Sequence, residues 1–219
     1  MLDPPITNGD LTSVVQLGVL ALAFGRVNRI TFHEDGVTPE SDTDHTVMLG
    51  LVACSFAARH LPHLDLGLIA QLALVHDVVE VYAGDTPTLR ITTEQQTSKQ
   101  EREHVALERI RAEFSRLPWL STVIDLYENR STPEARYVKA MDKLLPKITH
   151  IANGGRTLRD QGFTMRELIG RYERQLRELQ DYAADFPPLL ELRAELVSWV
   201  YNAVDLCPID EEAQRSAGT

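Results

Sequence analysis

An all-α domain is what the sequence predicts, and three observations predict it. Apolar residues recur with a helical period along nearly all of the 219 residues, helix start and stop signals separate the periodic segments, and no alternating run competes as a strand. A chain of this length makes one large domain, and 12 Gly and 11 Pro without a repeat or low-complexity tract give no linker to divide it. The expected organisation is a single-domain helical bundle over residues 1–207 with a loose polar tail at 208–219.

After the turn Asn8-Gly9-Asp10, Leu11 to Phe24 is apolar enough to be a buried helix, followed by an irregular stretch, Gly25 to Ser41, long enough to suggest a functional loop. Ser41 or Asp42 caps a second helix to about Arg59, closed by Leu61-Pro62. Asp65 caps a third, LGLIAQLALVHDVVEVY, apolar nearly all round and therefore buried, which ends in the turn Gly84-Asp85-Thr86-Pro87. Thr92 or Thr93 opens a polar amphipathic helix to about Leu117, and Trp119 to Asn129 forms a short one with Trp119 as a core anchor. Thr132-Pro133 starts a helix that runs to the glycine stop Asn153-Gly154-Gly155. Thr164-x-x-Glu167 is a capping box for a helix to about Ala184, and Pro187-Pro188 precedes a last helix to about Asp205.

Charge excludes some partners. Against 32 Asp plus Glu stand 22 Lys plus Arg, a formal net charge of −10, opposite to a nucleic-acid-binding surface. Only four of the basic residues are Lys, at 99, 139, 143 and 147, and three of these fall in nine residues. Cys54 and Cys207 cannot make a disulfide framework and suit a reducing compartment. The start MLDPPITNGD lacks a basic n-region, and the longest apolar run, Val14 to Phe24, is short of a membrane helix, so a cytoplasmic protein is expected.

Chemistry gathers in the third helix. Burying His76 and Asp77 there costs several kcal/mol unless they are paired or bind a cation. Glu80 follows one helical turn later and Asp85 sits in the closing turn, a crowding of acids that a divalent metal or Arg partners would relieve. Two other helices bury an ionisable group in the same way. Asp142 shares a face with Val138, Met141 and Leu145, and His45 with Met48, Leu49, Val52 and Phe56. Two His and two Asp on inward faces form a plausible set of ligands for a divalent cation with open positions for water and substrate. Arg90, just past the turn, is placed to add charge for a longer phosphate chain.

These residues resemble the H…HD…D signature of the HD-domain metal-dependent phosphohydrolases, an all-α superfamily. H-D-V-V-E-V-Y-A-G-D-T-P-T, from His76 to Thr88, is similar to the H-D-x-x-E-x-x-x-G-D-x-P stretch of its 5′-deoxynucleotidase branch, and V-K-A-M-D-K-L, from Val138 to Leu144, to that branch's V-K-x-x-D-x-L. Val27-Asn28-Arg29, 16 residues before His45, lies near where the branch places a substrate-phosphate Arg, with Arg26 as the other candidate and Ile30 where Trp is usual.

The resemblance implies a fold of the HD-domain type, with a metal-site core at about 26–150 and helices 164–205 packing on it. It implies that His45, His76, Asp77 and Asp142 hold one divalent metal ion (Co, Mn, Mg, Zn or Fe), that Glu80 and Asp85 are catalytic, and that Arg29 and Lys139 contact the substrate phosphate. The implied reaction is hydrolysis of deoxyribonucleoside 5′-monophosphates by metal-activated water. The alternative on the same site is a deoxynucleoside triphosphohydrolase releasing triphosphate, drawing on Arg90, Lys139 and Lys143. A homodimer with a small nucleotide as its only other partner, and no membrane contact, completes the expectation.

Overall fold

The predicted helices are present, and what the sequence concealed is where two of them break. The computed structural model describes residues 6–87 and 90–206. Thr88 at the end of the motif, Cys207 and the tail from Pro208 lie outside them.

Helix α1 (Asn8–Phe24) is closed at its start by a capping box between Thr7 and Asp10. The buried helix expected here is buried on one side only. Ser13, Leu20 and Phe24 face inward, whereas Leu11, Val14, Val15, Val19 and Leu22 form an exposed stripe. The irregular stretch that follows is instead an antiparallel hairpin, β1 (Asn28–Phe32) with β2 (Pro39–Ser41). It escapes a pattern search because the strands are short and their inward residues, Arg29, Thr31 and Glu40, are polar.

Helix α2 (Asp42–His60) starts at the Ser41 cap, as predicted. Helix α3 (Leu66–Val75) starts at Asp65 but stops ten residues on. His76 to Val79 is a tightened turn with i to i+3 bonds, Glu80 N to Asp77 O at 2.8 Å among them, before the short α4 (Glu80–Ala83). No Gly or Pro signals that break. Gly84 closes α4 at φ +74°, a conformation that disfavours any side chain.

Helix α5 (Thr93–Glu113) ends a few residues before the predicted stop, and α6 (Pro118–Glu128) follows. Trp119 is not a core anchor: it is 42% exposed and donates its indole N–H to Gln71. The single helix predicted from Pro133 to Asn153 divides into α7 (Pro133–Asp142) and α8 (Leu145–Ala152). The cause is Pro146, which has no N–H for the carbonyl of Asp142 four residues earlier and clashes with it. A short α9 (Arg156–Asp160), α10 (Met165–Ala183) and α11 (Pro187–Ala203) complete the chain.

Helices α2, α3, α6 and α7 pack around the larger core, where Leu49, Ile69, Leu72, Tyr137 and Met141 are fully buried. Leu158, Phe163, Leu168, Val197, Val200 and Val204 form a smaller core between α9, α10 and α11. Gly155, at φ +77°, lets the start of α9 approach the end of α11, since a Cβ there would stand 2.7 Å from Val204. The hairpin lies over the ends of α2 and α8, fixed by Asn153, whose Nδ2 donates to the carbonyl of Phe32 at 3.0 Å.

Candidate metal centre

Each of the four predicted ligands sits at or near the end of a helix, where side chains from different elements can converge. His45 is in the first turn of α2, His76 and Asp77 are in the turn after α3, and Asp142 ends α7. One ligand atom from each of these residues lies within 4.8 Å of all the others.

Second partners fix how the imidazoles present themselves. The Nδ1–H of His76 donates to the carbonyl of Ala73 at 2.8 Å, which leaves the Nε2 lone pair pointing at the cluster. That Nε2 is buried without a hydrogen-bond partner, although Asp77 Oδ2 is 3.0 Å away and Asp142 Oδ1 3.9 Å. On His45, Nδ1 faces Glu40 Oε1 at 3.1 Å and Nε2 faces Asp142 Oδ1 at 2.9 Å. Glu40 is itself held by the hydroxyl of Thr31. A carboxylate behind one imidazole and a carbonyl behind the other is the outer arrangement of metal-binding histidines, and an orphaned buried lone pair is what a cation would satisfy. The donor set fits a divalent cation.

Arg29 crosses into the cluster from β1. Its Nη1 donates to Asp77 Oδ2 at 2.8 Å and to Asp42 Oδ1 at 3.1 Å. Burial opposes the Arg29 charge, but Asp77, Asp142, Asp85 and Asp42 outweigh it and raise the pKa. Glu80 is buried, with Lys99 Nζ 3.2 Å from one oxygen and the other oxygen unpartnered. Burial, with Asp77, Asp85 and Asp42 nearby, pushes its carboxyl up to about 10 against the pull of Lys99. For the same reasons, burial and Asp77, Asp42 is raised to about 6 despite Arg29. Burial works against Asp142 as well, yet the His45 hydrogen bond holds it near 2.

Of the other predicted residues, Asp85 is half-buried in the turn after α4 and its charge reaches Arg29, Asp42 and Glu80. It also lines a polar cleft of about 470 Å³ with Thr86, Glu94, Gln95, Ser98 and Arg102. Lys139 lies 4.3 Å above the ring of Tyr127, whose edge meets the ring of His76 at 5.8 Å. Arg90 is the departure. It is committed to the loop before α10, donating to the carbonyls of Gln161 and Gly162 and to Glu167, with its guanidinium over Phe163. Lys143 is similarly tied to Glu178 at 2.6 Å.

Sequence reasoning missed Glu40, Asp42, Lys99 and Tyr127. The acids around the Ser41 cap, E-S-D-T-D-H, could have drawn attention, because three carboxylates precede a buried His within five residues. Lys99 and Tyr127 carry no local signal; they meet the cluster only through the packing of α5 and α6.

Comparison with known proteins gives the family and the fold. The model of one family, described as HD domain, matches residues 25–182. A protein from Magnetospirillum magnetotacticum MS-1, described as a predicted metal-dependent phosphohydrolase, superimposes with a TM-score of 0.74 at 24% identity, over 92% of this chain and 100% of that one. A conserved hypothetical protein from Pyrococcus furiosus superimposes at 0.58 with 21% identity, over 86% and 99%. Both likenesses establish the fold. No curated protein matches the sequence.

Proposed function

The chain belongs to the HD domain family, and from that membership we propose that it is a metal-dependent phosphohydrolase that releases phosphate from deoxyribonucleoside 5′-monophosphates. The observation that carries this reading is the convergence of His45, His76, Asp77 and Asp142, with each imidazole oriented from behind. Those four residues would hold one divalent cation, which when bound supplies Lewis acidity toward a water and a phosphoryl oxygen.

The chain's own residues supply the rest. Arg29 offers five N–H donors, and its bonds to Asp42 and Asp77 use only Nη1. The remaining donors suit the oxygens of a phosphate, whose charge spreads in the transition state. Hydrolysis forms one P–O bond to water and breaks the bond to the 5′-oxygen, so the leaving alkoxide needs a proton. Glu80 is the carboxyl placed to give it, with Asp85 close enough for its charge to act on Glu80. The cleft of about 470 Å³ beside Asp85 is where the sugar and base would sit. A triphosphate substrate finds less support, because two of the three cations it would draw on, Arg90 and Lys143, are paired with Glu167 and Glu178, and Lys139 lies over the ring of Tyr127.

The test is phosphate release from a panel of deoxyribonucleoside and ribonucleoside monophosphates with Co²⁺, Mn²⁺ or Mg²⁺ added. Release from the deoxy series is expected. No release with any metal overturns the proposal, and triphosphate liberated from a deoxynucleoside triphosphate favours the alternative.

A further inference from the structure

We propose that Lys99 is a positioning residue for proton transfer: its ammonium takes Glu80 Oε1 as acceptor and so directs the proton of the Glu80 carboxyl to Oε2. The inference rests on the proposed function, in which Glu80 gives a proton to the leaving oxygen. Lys99 Nζ lies 3.2 Å from Glu80 Oε1 and 3.3 Å from Glu103 Oε1, while Glu80 Oε2 is buried without a hydrogen-bond partner.

The two ends of the Glu80 carboxyl are made unlike by what Lys99 can offer. An ammonium has three donors and no acceptor. A hydrogen on Oε1 would point at the hydrogens of Nζ, so a Glu80 that is protonated while bonded to Lys99 carries its proton on Oε2, the oxygen that nothing else occupies. In the hydrolysis, the bond from phosphorus to the 5′-oxygen breaks with its electron pair on that oxygen, which takes the Oε2 proton. The carboxylate left behind meets an ammonium already in place, with no rearrangement at the moment of reaction. A proton lost by the attacking water restores Glu80.

The placement of Lys99 separates this contact from an ordinary helix-surface pair. From Thr92 to Arg102 every residue except Lys99 is exposed. An i to i+4 pair with Glu103 would form equally well at the surface, where it contributes little. That pair does not account for the reach inward to Glu80, whose side chain is 3% exposed against 18% for Lys99. Glu103 holds the same ammonium from the outer side, so Nζ is fixed between two carboxyls and cannot swing away from Oε1. Arg102, three residues on, donates to the carbonyl of Ala83 and to the hydroxyl of Thr86, which ties this part of α5 to the end of α4 and sets the distance Lys99 must span. Burial of one lysine in an otherwise exposed segment is the signature of a side chain with a partner to hold.

The experiment varies the leaving group. Full-length wild type, Lys99→Met and Lys99→Arg, each loaded with Mn²⁺, are compared on a deoxyribonucleoside 5′-monophosphate, phenyl phosphate and p-nitrophenyl phosphate, whose leaving oxygens need a proton in falling order. Lys99→Met is expected to lose about 10²-fold in kcat on the nucleotide with KM unchanged, less on phenyl phosphate and little on p-nitrophenyl phosphate. Lys99→Arg, again a donor without an acceptor, recovers most of the loss. Metal content by elemental analysis and the helical circular dichroism match wild type in both variants. An equal loss on all three esters, or no loss on the nucleotide, overturns the inference. Wild-type action on the aryl esters with no nucleotide hydrolysed overturns the nucleotide reading instead, and a phenyl to p-nitrophenyl rate ratio left unchanged by Lys99→Met then overturns the inference as well.

Discussion

Two interiors of this protein bury charge, and they do so in opposite ways. In the metal centre, acids from α2, the turn after α3 and the end of α7 are crowded until their ligand atoms share one focus. Between α8, α10 and α11 the excess is basic. Lys147 is 1% exposed, with Gln175 and the carbonyl of Lys143 as hydrogen-bond partners and the ring of Tyr172 4.5 Å from its Nζ. Arg193, also buried, donates to the carbonyl of Tyr172. Neither cation has a carboxylate in these bonds; each reaches neutral oxygens, and Arg193 Nε has no partner. What separates the two regions is convergence: the acids bring their ligand atoms to one focus, whereas these cations reach oxygens on separate residues.

The comparison breaks most completely at Asp77. Asp77→Ala removes one of the four candidate ligands and the partner of Arg29, and metal content and phosphate release should fall to background while circular dichroism stays helical. Glu80→Gln should lower kcat by about 10²–10⁴-fold, the usual worth of a proton-transferring group, measured under saturating metal. Glu40→Gln acts one shell out, through His45 Nδ1, and should weaken metal affinity by about 10–100-fold, read by competition with a fluorescent chelator. On the other side, Lys147→Met should leave activity unchanged and lower stability by about 1–3 kcal/mol, since it leaves the buried Gln175 Oε1 without its donor. Urea unfolding checks it, and unchanged or raised stability would contradict the assignment.

The smallest effect is also the sharpest contrast, because the two regions respond to pH with opposite sign. Burial opposes the charge on His45, but Asp142 and Glu40 outweigh it and raise the pKa to about 9. In chelator-treated protein its contribution is therefore full below the ordinary value near 6.5 and is lost as pH rises through 9. His150, by contrast, is lowered to about 4 by burial and by Lys147. Its contribution is full above the ordinary value and is lost as pH falls toward 4, and Lys147, held low by burial, also favours folding as pH rises. His150→Leu should flatten the acid limb of the urea midpoint against pH and leave the alkaline limb as it was.

How much of this was legible depends on the range over which the determining forces act. Caps at Ser41, Asp65, Thr132 and Thr164 act within a few residues, and the helices they open start where the sequence places them. The convergence of His45, His76, Asp77 and Asp142 was legible because ionisable groups inside apolar helices call for pairing with one another or with a cation. Pro146 was legible in principle, its missing N–H falling on Asp142, yet the apolar period continues past it and masks the break. The hairpin and Arg90 were not. A strand that buries Arg29 and Thr31 has no apolar alternation, and the partners of Arg90 are some 70 residues away in sequence.

The hairpin sets the aim of two site residues. Successive side chains of β1 point to opposite faces, so Arg29 and Thr31 reach the cluster while Ile30 between them does not. Residues added to the turn at 33–38 lie outside β1 and lengthen a loop. The pairing with β2 already shifts register between Asn28 and Phe32, four steps along β1 opposing two along β2, so the aim of Arg29 and Thr31 is set at this irregularity and not by an even ladder. The outer turn can then change in length without disturbing that aim.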